Sequence, residues 1–292
     1  MDGAAWGRTI VMAQNRRTSS SKRDPLWVRV LLTLMALTFL GLFLAMPLCV
    51  VFIEAFQQGW RLWLSSLKDP DALAAMRLSL FAVVVAVPMN TIFGLCAAWV
   101  LTRFRFKGRS ALLTLIDIPF AVSPVIAGMM LVLLFGSRGW FGSYLDAHNW
   151  KIVFATPGII LATAFVTMPF VARELIPLME SQGQEEEQAA RTLGASGWQT
   201  FWRVTLPNIK WALLYGIILC SARAVGEFGA VSVVSGHITG QTMTLPLHIE
   251  ARYNEYSTVA AFSAASVLAL LALVTLAAKT FIELRGQVRK RH

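Results

Sequence analysis

Six apolar runs, at residues 26–56, 73–102, 112–135, 153–179, 207–234 and 259–281, dominate this sequence and are joined mostly by short polar connections. About twenty apolar residues suffice for a helix to cross the ~30 Å hydrocarbon core of a bilayer. Inside that core the backbone finds no water, so each run must satisfy its own N–H and C=O groups by coiling into a helix. Composition agrees, since 56% of the 292 residues are hydrophobic and only 14% are charged, against about 25% charged in an ordinary soluble domain. The predicted fold is therefore an all-α membrane protein of six transmembrane helices, one domain over 26–284 with basic tails at 1–25 and 285–292. The first run is too long for a signal-peptide core and lacks an evident cleavage site, so it is expected to remain as a span.

The basic residues predict an orientation. Of the 26 Lys and Arg, nineteen fall in the N-terminal tail with Arg29 at the mouth of the first run, the second loop, the fourth loop with its flanks, and the C-terminal end; six lie on the opposite side and Arg223 lies within a run. The positive-inside rule then predicts cytoplasmic termini and a cytoplasmic fourth loop. The net charge of +10 is in this reading a topology signal. A nucleic-acid binder would gather such residues with aromatics on one folded surface, whereas here they are spread over four segments. Arg103, Arg105, Lys107 and Arg109 in the second loop are expected to hold it against anionic headgroups. On the other side Trp60 and Trp63 predict a short interfacial helix.

Residues 185–207, EEEQAARTLGASGWQTFWRVTLP, are polar and helix-forming between two apolar runs. They read as helix, turn, helix: Glu185, Glu186 and Glu187 suit a first turn, Gly194 suits a left-handed stop, and Ser196 with Gln199 has capping-box spacing. Trp198, Phe201 and Trp202 then call for a partner surface. Gln188, Ala189, Ala190, Gly194, Val204, Leu206 and Pro207 resemble the EAA loop, E-A-A-x3-G-x9-I-x-L-P, of bacterial ATP-binding-cassette importer permeases. Two positions depart: Gln188 stands for the family's Glu, with Glu187 as a neighbouring substitute, and Val204 stands for Ile. The resemblance implies a type I importer permease fold, with 183–207 as a cytoplasmic coupling helix between spans four and five that docks on the ATPase subunit.

Charged residues inside the runs mark a second region. Asp117 lies in the third run with Pro119 and Pro124, among small residues that allow close helix approach or a hinge, and is expected to pair with a basic residue of the second loop. Arg173 and Glu174 are adjacent, cannot face each other on a helix, and must each find another partner, one of them in the coupling loop. Arg223 and Glu227, four apart in the fifth run, are predicted on one helical face. An unpaired charge at that depth costs ~2.5–3.5 kcal/mol even on the lenient insertion scale. They pair with each other, or else Arg223 faces an anion path that Glu227 keeps from binding too tightly.

The stretches TLIDIPFAVSPVIAG, GASGWQTFWRVTLPNIKWALLYG, SARAVGEFGAVSVVSG and TLPLHIE extend the likeness from 26 to 281 and are similar to the W-type permease subunits of bacterial sulfate/thiosulfate importers. The likeness implies a T-type permease partner, two copies of a cytoplasmic ATPase and a periplasmic sulfate- or thiosulfate-binding protein, in the bacterial inner membrane. ATP and Mg would sit on the ATPase and no cofactor on this chain, which has no G-x-x-x-x-G-K-[ST] loop and no predicted catalytic residue. Molybdate or tungstate remains an alternative substrate. A proton-coupled transporter or membrane enzyme using Asp117, Arg223 and Glu227 as a relay remains a different class of reading. Cys49, Cys96 and Cys220 are expected to be packing residues, and His148, His237, His248 and His292 lie outside the runs, so no metal site is predicted.

Overall fold

This computed structural model describes residues 26–289, with side chains as far as Glu283; the predicted tail 1–25 and residues 290–292 lie outside the described residues. Among the described residues every regular element is helical. They fall into two units, 26–49 and 50–289. The first unit is the greater part of helix α1 (Leu26–Phe56), whose π turn at Gly41–Ala45 comes just before Pro47. Proline has no N–H for the carbonyl four residues back and its ring crowds that carbonyl, so the preceding turn widens, with Met46 N–H donating to Gly41 O.

The second unit opens with α2 (Trp60–Leu67), the short helix predicted beside Trp60 and Trp63, then the long α3 (Pro70–Arg103). The third run is not one straight helix: α4 (Arg109–Ala121) and α5 (Pro124–Phe135) meet at 108°. Pro124 forces the residue before it out of the α region, and Val122 and Ser123 are both extended. After α6 (Gly142–Ala147), the fourth span is α7 (Thr156–Thr167) followed by α8 (Pro169–Gln182). The coupling segment contains α9 (Glu185–Thr192) and α10 (Gly197–Thr200) and leads into α11 (Leu206–Val225). The fifth run is also broken: α11 stops at Val225, and a separate α12 (Gly229–Ser235) follows. The described residues close with α13 (Leu245–Asn254) and α14 (Thr258–Arg289).

The breaks divide the packing into two cores. Leu101, Ile116, Val171, Leu175, Met179 and Ile209 form the one nearer the coupling segment, from α3, α4, α8 and α11. Ala82, Ala127, Ile159, Val231, Val234 and Leu247 form the other, from α3, α5, α7, α12 and α13. Helix α3 passes through both. In the second core α5 and α12 touch at backbone distance, since a Cβ on Gly128 would stand 2.6 Å from Ala230 O; the small residues expected to allow close approach do so here.

Asn90 on α3 mends the break in the fourth span. Met168 N–H donates to Phe165 O, three residues back, rather than to Ala164 O. Asn90 Nδ2 donates to Ala164 O at 3.0 Å and to Thr167 Oγ1 at 2.8 Å. Asn90→Ala should therefore strand a buried carbonyl and destabilise the fold by about 1–3 kcal/mol. A thermal midpoint in detergent lowered by several degrees is the expected reading; an unchanged midpoint would remove Asn90 from this role.

Candidate functional site

The coupling segment is built by local sequence and then fastened by long-range contacts. Three glutamates open α9 and Arg191 closes it, each matching the nearby end of the helix dipole. Gly194 turns the chain at φ +86°, a conformation strained for any side chain, with open space where a Cβ would be. Both bonds of the Ser196–Gln199 capping box are present: Gln199 N donates to Ser196 Oγ at 3.3 Å, and Ser196 N to Gln199 Oε1 at 3.0 Å. A π turn at Phe201–Thr205 carries α10 into α11 just ahead of Pro207, the same response to proline as ahead of Pro47.

The inner side of the segment is polar and closed. Glu187, 7% exposed, accepts from Arg103 Nη2 at 2.8 Å and from Thr205 Oγ1 at 2.8 Å through one carboxylate oxygen. Arg103 also donates through Nη1 to Met179 O at 3.1 Å, while its buried Nε has no partner. Around this clamp Gln184 reaches Thr102 O, Asn208 reaches Glu186, and Arg109 reaches both Glu180 and Leu101 O. The segment is thereby tied to the ends of α3 and α8 and the start of α11. Two of the four cations expected at lipid headgroups, Arg103 and Arg109, are instead spent on the protein's own carboxylates and carbonyls.

The outer side is apolar and open. Leu193, Trp198 and Trp202 are 88%, 71% and 51% exposed, and Gln188, Ala189, Gly194 and Pro207 are also exposed. Phe201 turns the other way, with its ring edge-on to Trp99 at 5.4 Å. Ala190 and Leu206 are half-buried beneath this surface. Glu187, next to the EAA match, thus holds the segment from within, while Gln188, Ala189 and Gly194 of the match face out.

At the break between α11 and α12, Arg223 Nη1 lies 2.6 Å from Glu227 Oε2. The pair forms as the spacing predicts, but not on one helical face, because Glu227 lies beyond the end of α11. Its side chain is almost fully buried, and its second oxygen accepts from Ala230 N at 2.9 Å, capping α12. Arg223 keeps 35% of its side chain exposed.

Asp117 pairs with Arg173 of α8 at 2.8 Å, not with the second loop, and Arg173 does not reach the coupling segment. Of the cysteines only Cys220 is buried, beside Asn90 and Thr167; Cys49 and Cys96 are exposed, contrary to the packing role expected of them. His248 is buried in α13, and that burial, then the neighbouring Arg252, pushes its pKa down. Among the described residues no group of three or more His, Cys, Asp or Glu could hold a metal. Arg103, Thr205 and Asn90 are the residues that sequence reasoning missed. Nothing local links Arg103 to a carboxylate 84 residues away.

Residues 90–285 match the family model for the binding-protein-dependent transport system inner membrane component. The chain is 54% identical over 258 residues to the sulfate transport system permease protein CysW of Synechocystis, covering 88% of this chain and 94% of that one. It is 39% identical over 241 residues to the sulfate transport system permease protein CysT of Escherichia coli K12, covering 82% and 87%. Among solved structures, a bacterial ABC transporter involved in the import of the acidic polysaccharide alginate superposes with a TM-score of 0.72 at 17% identity, over 89% of this chain and 95% of that one; it shares the fold. With five helices among the described residues long and apolar enough to cross a membrane, or six counting the bent pair as one span, the chain is a multi-pass inner membrane protein that belongs to the family of binding-protein-dependent transport system inner membrane components.

Proposed function

We propose that this chain is a transmembrane permease subunit of an ATP-driven sulfate/thiosulfate importer, passing the anion from a periplasmic binding protein to the cytoplasm. The observation that carries this reading is the 54% identity, over nearly the whole of both chains, to a relative named as a sulfate permease. The T-type partner is inferred from the second relative, and the placement of both termini in the cytoplasm from the basic residues.

The open face of Leu193, Trp198 and Trp202 is the proposed seat of a separate ATPase subunit, one of two copies, on which ATP and Mg would bind. Glu187, clamped to Arg103, makes that seat continuous with three spans, so movement of the ATPases would be carried into the membrane. In this scheme Gln188, Ala189, Ala190, Gly194, Leu206 and Pro207 shape the docking surface, and Arg223 with Glu227 meets the anion at the break of the fifth span.

The test is reconstitution of the full complex in proteoliposomes with its binding protein. Sulfate or thiosulfate should stimulate ATP hydrolysis and be taken up. Stimulation by molybdate alone, or uptake driven by a proton gradient without the ATPase, would overturn the reading.

A further inference from the structure

Two ion pairs staple α4 to α8. Arg109 with Glu180 lies at the coupling-segment end, and Asp117 with Arg173 lies seven or eight residues further in, with the signs reversed. Asp117 lies five residues inside the end of the third apolar run and Arg173 six inside that of the fourth, about 8–9 Å at 1.5 Å per residue, so the pair sits within the membrane toward its coupling-segment side. Yet the side chains of Arg173 and Asp117 are 55% and 42% exposed. A charged pair this open at this depth does not face lipid, because intramembrane charges turn to the protein interior or to a water-filled cavity.

The geometry of the pair is one-sided. Asp117 takes only the Nε edge of the guanidinium. No hydrogen bond to Nη1 or Nη2 is made by the described residues, and the cation lies over the ring of Phe120 at 4.8 Å, which is itself edge-on to Phe170. A carboxylate on one edge and a ring on one face orient the plane and leave a two-donor fork pointing outward. Such a fork matches two oxygens of a planar or tetrahedral oxyanion, which a lysine ammonium cannot do. Arg223 is held differently, with Nη1 taken by Glu227, and its side chain is also partly open.

Arg173 lies on α8 where that helix packs on α11 ahead of Arg223: a Cβ on Gly216, seven residues before Arg223, would stand 3.2 Å from Val171 Cα and 3.5 Å from Glu174 Cβ. The break after α4, the helix of Asp117, touches the break after α11, since a Cβ on Gly229 would stand 3.0 Å from Pro124 Cβ. Around these breaks the small residues Ala121, Ser123, Ala222 and Gly226 are exposed, beside the larger Phe120, Val125 and Phe228.

We propose that Arg173 is a second anion-contacting residue, receiving a tetrahedral divalent oxyanion on its free guanidinium edge, on the coupling-segment side of the break that holds Arg223. The proposal rests on the sulfate-import reading. Asp117 neutralises most of the charge, so the anion is met without being trapped, as passage requires.

The experiment uses the complete complex in proteoliposomes, with sulfate uptake and sulfate-stimulated ATP hydrolysis measured together. Arg173→Lys keeps the charge and the pairing with Asp117 but loses the fork; uptake should fall about tenfold while ATP hydrolysis and assembly stay near wild type. Arg173→Gln with Asp117→Asn, which can still hydrogen-bond as a neutral staple, should also remain low in uptake. Arg173→Cys in a cysteine-free background should react with a membrane-impermeant anionic thiosulfonate, more slowly when sulfate is present. Wild-type uptake by both the lysine variant and the double variant, or no reaction at the cysteine in the assembled complex, would overturn the assignment of Arg173 alone. Absence of sulfate uptake by the wild-type complex would instead overturn the import reading and the assignment with it.

Discussion

Glu187→Ala is expected to abolish sulfate uptake and to release the ATPase subunit, although nothing about Glu187 touches the open surface of the coupling segment. The substitution leaves the Arg103 guanidinium buried beside an already unpartnered Nε and removes the acceptor of Thr205. Removing one partner of a buried ion pair typically costs about 3–5 kcal/mol, because the other charge stays buried without compensation. The damage falls on the joint between the segment and α3, α8 and α11, so the spans should persist while the docking surface loses its position. Co-purification of the ATPase with the variant, and uptake in proteoliposomes, are the measurements. Arg103→Met together with Glu187→Leu, which removes both charges at similar volume, should recover much of the stability. By contrast Gln188→Glu, on the exposed side, should be neutral or mildly strengthening. Wild-type uptake and co-purification by Glu187→Ala would remove the clamp from the account.

Replacing both Arg223 and Glu227 should leave uptake lost, even where the complex assembles and hydrolyses ATP. Each single variant is expected to be inactive: Arg223→Met leaves the Glu227 carboxylate almost fully buried without its cation, and Glu227→Gln leaves Arg223 unneutralised. The double variant, Arg223→Met with Glu227→Gln, separates two roles. If the pair only satisfies itself and caps α12, the amide oxygen introduced by Glu227→Gln can still accept from Ala230 N, and the neutral pair should regain much of the lost uptake. If the half-open Arg223 meets the anion, removing its charge takes away an attraction worth several kcal/mol at low effective dielectric, and uptake stays lost. Recovery of uptake in the double variant is the outcome that would end the pathway role.

The apolar runs and the coupling segment were legible in the sequence because each obeys a local rule. A run of twenty apolar residues can only be a membrane helix, a glycine at the end of a polar helix can take φ +86°, and Ser196 with Gln199 closes a capping box within four residues. Resemblance of the segment to a known loop added the expectation that it docks on an ATPase. The hinge at Pro124 was suggested by the same kind of signal, but not its 108° angle, which depends on what α4 and α5 pack against.

What tertiary structure alone decided is the pairing of charges. Asp117 could have met any basic residue nearby, and meets Arg173 because α4 lies against α8. Glu187 could have faced an ATPase, and turns inward because α3 brings Arg103 to it across 84 residues. Glu227 was four residues from Arg223 in either case, but the end of α11 at Val225 gave it a second duty at the start of α12. A long charged side chain finds its partner through the packing of the helices that carry it, and that packing is set by shape and volume over the whole fold, which no local spacing records.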